Sequence, residues 1–451
     1  MSVRRIFTTM LLLFAFSISL LAAEGRAKYV ILLIGDGMGH NIEKLYRTQV
    51  DNTSFSKFPK EVMTGTNNFQ GKVTDSAASG TAIACGIKTY NSAIAMNKDK
   101  KPVTSLAKIL HKNGFKVGII SSVGINDATP ATHYANNVTR KNRPEIINAM
   151  PASGFEFFGI SSMLGKFDQK KFKKLLRDNG YYIGKEDDLY NVTKHKKSVI
   201  FCDTLANWDG RCQIPRLADV TREAIKALDN EKGFFLMVEG GAIDHFAHSN
   251  DAGGVIREMI EFDAAIAEAL KFYDKHPNET LIVVTADHDT GGLDILPGKT
   301  IPRNFWKRQT VMQAKMQNAL KHKLNAGATT DAIIDWMCRS AGSTLPDDKE
   351  REQLRKAADL TFKGKKTSSD KMTRSMGYGS YAPLSIEVFR RRDRLNGIKF
   401  TTFGHTDRKI ATKVIGAGAK YFNAPMENSD IPHNISKAVL GNNTELSKNL
   451  K

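Results

Sequence analysis

The sequence predicts an α/β protein: a parallel-rich central sheet with helices on both faces, plus an inserted, mainly helical cap. Three observations predict it. Short apolar runs recur at 29–34, 117–121, 234–238 and 281–285, the pattern of strands buried on both faces. Helical patterns lie between them, at 104–112 and 251–274. The second carries Ile256, Met259, Ile260, Ile266, Ala267 and Leu270 on one stripe. Residues 299–399 then break the alternation with a basic, helix-forming stretch.

The elements follow in order. Residues 1–23 have the plan of a signal peptide: Arg4 and Arg5, an apolar run over 10–21 broken by Ser17 and Ser19, then Ala22-Ala23. The run is short of the roughly 20 apolar residues a membrane span needs. It predicts an exported protein, periplasmic or secreted, with no transmembrane span in the mature chain. Export favours disulfides. Cys202 and Cys212 enclose the turn-like Asn207-Trp208-Asp209-Gly210 and are the candidate pair, whereas Cys85, after Ala82-Ile83-Ala84, reads as a buried thiol. Cys338 has no evident partner. The division expected is 24–298 for the first part of the α/β domain, 299–399 for the cap and 400–451 for its last part. Within the cap, 309–322, 330–340 and 347–360 read as helices and 363–374 as a connector.

Length and composition bound the function. The chain has 451 residues, 41% hydrophobic and 25% charged, which excludes wholesale disorder. Its 66 Lys+Arg against 47 Asp+Glu leave a net charge of +19. Residues 299–399 hold 22 Lys+Arg and 10 Asp+Glu, with Arg390-Arg391-Arg392 and 363–366 the densest parts. Most of the charge therefore belongs to one segment. Two readings stay open: a basic cap that concentrates anionic substrates, and a solvated helical surface.

Several motifs sit just after expected strands, where α/β proteins build their sites. Gly35-Asp36-Gly37-Met38-Gly39 follows the first run. Glu239-Gly240-Gly241-Ala242-Ile243-Asp244, with His245 and His248, follows the third; a helix puts Asp244 and His248 on one face, fit for one cation. Thr285-Ala286-Asp287-His288 closes the fourth, and Gly404-His405-Thr406 follows a short strand-like 398–402. Thr74-Asp75-Ser76-Ala77-Ala78-Ser79-Gly80-Thr81-Ala82 opens a helix of small residues. Ser76 there reads either as an N-cap or as a hydroxyl beside an anion-friendly helix start. With no His or Lys nearby in sequence, a nucleophilic Ser76 needs a metal to activate it. Asp127-Ala128-Thr129-Pro130 offers oxygen ligands for a hard cation, and Arg140 has the fork that grips phosphate.

The ordered set of these motifs resembles the alkaline phosphatase family, from Tyr29 to about Leu440. The resemblance implies an alkaline-phosphatase-like fold and an enzyme that hydrolyses phosphate monoesters. It implies that Ser76 becomes phosphorylated and that Arg140 clamps the phosphoryl oxygens. It implies one Zn2+ on Asp244, His248 and His405, a second on Asp36, Asp287 and His288, and one Mg2+ on Asp36, Thr129 and Glu239, with Asp127 acting through water. Asp127 and His245 stand where the family varies, and here form a mixed Asp/His pair. A homodimer acting on small phosphate esters, without specific nucleic-acid binding, is what the resemblance implies for partners. The competing readings are a diesterase, sulfatase or mutase of the same superfamily, and a non-catalytic polyanion-binding protein. The sulfatase reading lacks its modification motif. Ser76 with Glu239, Thr129 and Arg140 favours the monoesterase.

Overall fold

The structure, a computed structural model, describes residues 26–202, 216–363, 377–441 and 446–450. Residues 1–23, Cys212 and the expected connector beyond residue 363 lie outside the described residues.

Fourteen strands are described: β1 Tyr29–Gly35, β2 Lys60–Gly65, β3 Lys116–Gly124, β4 Phe157–Ser162, β5 Tyr182–Lys185, β6 Ser198–Phe201, β7 Phe234–Gly240, β8 Thr280–Ala286, β9 Asp289–Thr290, β10 Asp294–Ile295, β11 Ile398–Lys399, β12 His405–Thr406, β13 Ile410–Gly416 and β14 Met426–Glu427. Ten of them form one sheet in the order β14-β2-β13-β8-β1-β7-β3-β4-β6-β5. Only β13 runs against its neighbours; every other pairing in the sheet is parallel. The four apolar runs are β1, β3, β7 and β8, and they lie side by side.

Burial explains why these runs carry no polar alternation. In β1, Tyr29, Ile31 and Leu33 enter one apolar cluster and Val30, Leu32 and Ile34 enter another, on opposite faces of the sheet. Burying such a side chain is worth about 1.5–3 kcal/mol, so a polar residue on either face of β1 would forfeit that stabilisation. The helix Ala252–Tyr273 packs on the first face with Val255, Ile256, Met259, Phe262 and Ile266. Asp251 caps it by accepting from the Gly254 amide. Among the described residues no helix is long and apolar enough to cross a membrane.

Residues 299–399 carry, where described, the helices Gln313–Asn325, Thr330–Ser340, Asp348–Lys363 and Pro383–Leu395, and close with the short strand β11. They enclose their own apolar cluster, including Met316, Ile333, Met337, Leu354, Leu384 and Phe389. Two details differ from the sequence expectation. The first helix starts four residues late, because Thr310 and Val311 amides are drawn to the Ser340 carbonyl and the Gln309 side chain bonds Asp251. The last helix, with Pro383 in its first turn, was not anticipated.

The same helix corrects the picture of an exposed basic run at Arg390-Arg391-Arg392. Arg391 and Arg392 are buried. Arg391 donates to Glu350 and to the Thr344 carbonyl at 2.7 Å each. Arg392 bonds Asp393 and Gln309 at 2.8 Å and approaches Asp251 at 3.4 Å. Helical periodicity turned two of the three arginines inward, where Arg391 ties the inserted segment to itself and Arg392 reaches Asp251, the cap of Ala252–Tyr273.

Candidate active site

Strand order assembles the site. Because β8, β1 and β7 are adjacent and parallel, their carboxyl ends bring Asp36, Glu239 and Asp287-His288 together from three distant stretches. The helix Ala242–His248 follows β7 and adds Asp244 and His248 one turn apart. His405 arrives by a different route: β12 pairs antiparallel with β9, opposite Thr290, so its ring stacks on His288 at 3.6 Å.

Gly37 shows how tight the junction is. It has φ +67°, its amide donates to Asp287 Oδ1 at 3.0 Å, and a Cβ there would lie 2.7 Å from both Asp244 Oδ1 and Thr290 Oγ1.

Ser76 opens the helix Ser76–Cys85, but it does not cap it. Asp75 does, accepting from the Ala78 amide at 2.9 Å. The Ser76 hydroxyl is thereby free of the capping role and lies 3.2 Å from His288 Nε2. The helix start leaves amide hydrogens and a positive dipole end beside it.

Three imidazoles point one nitrogen at this spot. His405 Nδ1 donates to the Thr74 carbonyl and His248 Nδ1 to the Phe403 carbonyl. His288 Nδ1 donates to Thr290 Oγ1 at 3.1 Å, and Thr290 donates in turn to Asp244 Oδ1 at 2.6 Å. Each Nε2 is left as the acceptor atom, the arrangement of metal-ligating histidines. His248 Nε2 lies 3.2 Å from His405 Nε2 and 3.3 Å from Asp244 Oδ2; His405 Nε2 lies 3.7 Å from Asp244 Oδ1. His288 Nε2 lies 3.2 Å from Asp287 Oδ2 and 3.6 Å from Asp36 Oδ1. Two ligand sets result, Asp244 with His288 and His405, and Asp36 with Asp287 and His288; His248 borders the first.

The carboxylates argue for cations on their own. Asp36, Glu239, Asp244 and Asp287 are all buried. Asp36 Oδ1, Asp287 Oδ2 and Glu239 Oε1 have no hydrogen-bond partner. Burial, reinforced by the neighbouring carboxylates, raises Asp36 well above the usual carboxylate range; burial is the main cause that pushes Glu239 up to about 8 and Asp287 up to about 7. Burial opposes ionisation of Asp244 too, but His248, His288 and His405 outweigh it and hold that carboxyl far below normal. His248 is raised to about 9 by Asp244, against burial. His288 is held well below its usual value by burial and by the His405 charge. So many buried carboxylates with open oxygens, facing accepting imidazole nitrogens, fit bound divalent cations.

The remaining expected residues lie alongside. Thr129 donates to Asp36 Oδ2 at 3.3 Å, and Ser121 donates to Glu239 Oε2. Asp127 Oδ1 takes Arg140 Nη2 at 2.8 Å and Arg143 Nη2 at 2.9 Å. Burial would raise Asp127, but the two guanidiniums outweigh it and hold it below the ordinary range. Arg140 also approaches Asp75 at 3.5 Å, so its fork is held from two sides. His245 follows Asp244 on the same helix and is half-buried. Sequence reasoning missed Thr290, Ser121, Asp75 and Arg143 as supporting groups. Thr290 stood two residues beyond His288, and only its bonds to two ligands reveal it.

The comparisons with known proteins now bear on this arrangement. The alkaline phosphatase family model matches residues 27–176 and 160–440. The chain belongs to the alkaline phosphatase family. Alkaline phosphatase 4 of Bacillus subtilis is 30% identical over 440 residues, covering 92% of this chain and 89% of that protein. Among solved structures, the cold-active alkaline phosphatase of the psychrophile Shewanella sp. is similar at 27% identity and TM-score 0.74, covering 91% of this chain and 99% of that one. The alkaline phosphatase of the Antarctic bacterium TAB5 is similar at 26% identity and TM-score 0.67, covering 93% and 100%. Family membership sets the coarse class, a metal-dependent phosphatase, and agrees with the mostly parallel sheet and the paired ligand sets.

Proposed function

We propose that the protein hydrolyses phosphate monoesters through a phosphoserine at Ser76. The observation that carries this reading is the Ser76 hydroxyl, uncapped at a helix N-terminus and 3.2 Å from His288 Nε2, against the buried carboxylate–imidazole cluster. The proposed holders are Asp244, His248 and His405 for one Zn2+, Asp36, Asp287 and His288 for a second, and Asp36, Thr129 and Glu239 with Asp127 for Mg2+; when bound, the ions supply Lewis-acid stabilisation of the attacking and leaving oxygens.

The chain's own groups account for the rest. Ser76 gives up its hydroxyl proton to solvent, its Oγ forms a bond to phosphorus as the ester P–O bond breaks, and the departing alkoxide takes a proton from solvent. Water oxygen then forms a bond to phosphorus as the P–Oγ bond breaks, releasing phosphate and restoring Ser76. Two in-line displacements give net retention at phosphorus. Arg140, pinned by Asp127 and Asp75, presents its fork to the non-bridging oxygens. A half-buried His245 gives released phosphate a weaker electrostatic hold than a Lys there. Residues 1–23 support export, and the separate apolar cluster of the inserted helices supports reading 299–399 as a cap between 24–298 and 400–451. A homodimer rests on the family resemblance.

The test is Ser76→Ala, assayed on an aryl monophosphate and a diaryl diester. Hydrolysis should vanish while fold and bound metal persist, and the wild type should prefer the monoester. A diester preference, or full turnover by Ser76→Ala, overturns the reading.

A further inference from the structure

A cavity of about 340 Å³ lies between the helix Pro383–Leu395 and the loop after β11, lined by Asn250, Arg390, Asp393, Arg394, Lys399, Phe400 and Thr401. Its lining shares no residue with the Ser76 cluster. It also collects the positive charge that the buried part of the arginine run does not use. Arg391 and Arg392 are consumed by internal partners. Arg394 and Lys399 are exposed at the cavity, and among the described residues neither makes an ion pair. Arg390 places Nη1 on Glu387 and Nη2 on the Gly377 carbonyl, and lies over the Tyr378 and Phe403 rings. Asp393, the one carboxylate in the lining, is already matched by Arg392 at 2.6 Å. The cavity therefore carries surplus positive charge.

Its other surfaces are specific as well. Phe400 offers an apolar face. Asn250 spends its amide hydrogens on the Ala247 and Thr402 carbonyls, so the atom it has left for a ligand is an acceptor. An anion alone would use the cations and neither of these. A molecule with a phosphate, a flat apolar part and donor groups would use all three. The volume falls in the range of small-molecule sites, which starts at about 300 Å³.

We infer that this cavity is a second binding site, distinct from Ser76, for an organic phosphate of the nucleotide kind: its phosphates on Arg394 and Lys399, its ring on Phe400, its hydroxyl or amino hydrogens on Asn250. The site is wired to the ligand cluster. The Thr402 carbonyl holds Asn250 and the next carbonyl, of Phe403, holds His248 Nδ1. A ligand seated on Phe400 and Thr401 therefore bears on the strand of backbone that orients His248.

Direct binding tests the inference without reading hydrolysis, so its outcome is independent of the function proposed above. The full-length Ser76→Ala protein, metal-loaded, is titrated with ADP by calorimetry. Two ADP per chain are expected, one at each site. In the same background, Arg394→Gln/Lys399→Gln should weaken one of the two by at least about tenfold, as loss of charged hydrogen-bond donors does. The control is Lys232→Gln/Lys275→Gln, which removes the same charge from exposed positions just before β7 and β8, at the other end of the strands. It should leave both sites intact. Adenosine, with no phosphate, should bind the second site at least about tenfold more weakly than ADP. ADP binding unchanged by Arg394→Gln/Lys399→Gln, equal loss in the remote variant, or adenosine binding as tightly as ADP each overturns the assignment, whether or not the Ser76 site also takes ADP.

Discussion

Replacing Thr290 by valine isolates one hydroxyl that joins the two ligand sets. Thr290 Oγ1 donates to Asp244 Oδ1 at 2.6 Å and accepts from His288 Nδ1 at 3.1 Å, in a fully buried position. Valine keeps the shape and removes both bonds. The bond to a charged carboxylate is worth about 1.5–3 kcal/mol, and the buried imidazole N–H left without an acceptor costs about 1–3 kcal/mol. Together that is roughly 2.5–6 kcal/mol of bracing before any relaxation. His288 is then free to rotate or to change tautomer, which takes its Nε2 away from Asp36, Asp287 and Ser76. Loss of an outer partner of this type lowers metal affinity or activity by about 10–100-fold. The assay is metal retention against a graded chelator series, together with kcat on an aryl monophosphate. Thr290→Ser, which keeps the hydroxyl, should retain most of both. A Thr290→Val protein that holds metal and turns over within about twofold of wild type would refute the bridging role, because an outer partner of this type is worth at least about tenfold.

Three further outcomes follow from the same geometry. Gly37→Ala places a methyl 2.7 Å from Asp244 Oδ1 and Thr290 Oγ1 at a residue with φ +67°, so melting temperature and metal content should both fall; unchanged values would show that the junction is looser than described. His133 is buried and its pKa is pushed down to about 4 by burial, so the folded chain keeps it neutral while the unfolded chain protonates it near pH 6.5. Its contribution is present above the unfolded value and is lost as pH falls toward 4, about 2 kcal/mol of it by pH 5. Urea denaturation at pH 7 and pH 5 should show that much less pH dependence in His133→Gln, and an unaltered difference would contradict the assignment. Arg392→Ala strips a buried cation from Asp393 and Asp251 and should cost about 3–5 kcal/mol by denaturant midpoint, whereas Arg394→Ala, at an exposed position, should stay within about 0.5 kcal/mol.

The legible part of the fold was the part buried on both faces. The runs that became β1, β3, β7 and β8 are apolar on both faces along most of their length, so their nature was readable without knowing their neighbours. β2 was not, because exposed Glu61 and Met63 alternate with buried Val62 and Thr64 in a strand one place from the sheet edge. The helix holding Arg390-Arg391-Arg392 was hidden for a related reason: three adjacent arginines look like a solvated run until partners on other elements are known. Within the site, Asp36, Glu239, Asp244, Asp287, His288 and His405 stood out as acids and imidazoles at strand ends. For Ser76 the residues alone left two readings, and the cap reading is removed by Asp75, one residue earlier, which takes the cap.

The sequence by itself determined which segments bury, where strands end, and which side chains with ligand chemistry stand at those ends. These are local properties: apolar periodicity, glycine at the turns and residue type are set within a few positions along the chain. Tertiary structure alone decided that β8, β1 and β7 lie side by side, that β12 pairs with β9 to bring His405 onto His288, and that two of three arginines turn inward. Those outcomes depend on pairings between residues hundreds of positions apart, such as Gly37 with Asp287 or His248 with His405. Their energies come from packing and hydrogen bonds that exist only once the sheet has closed around them.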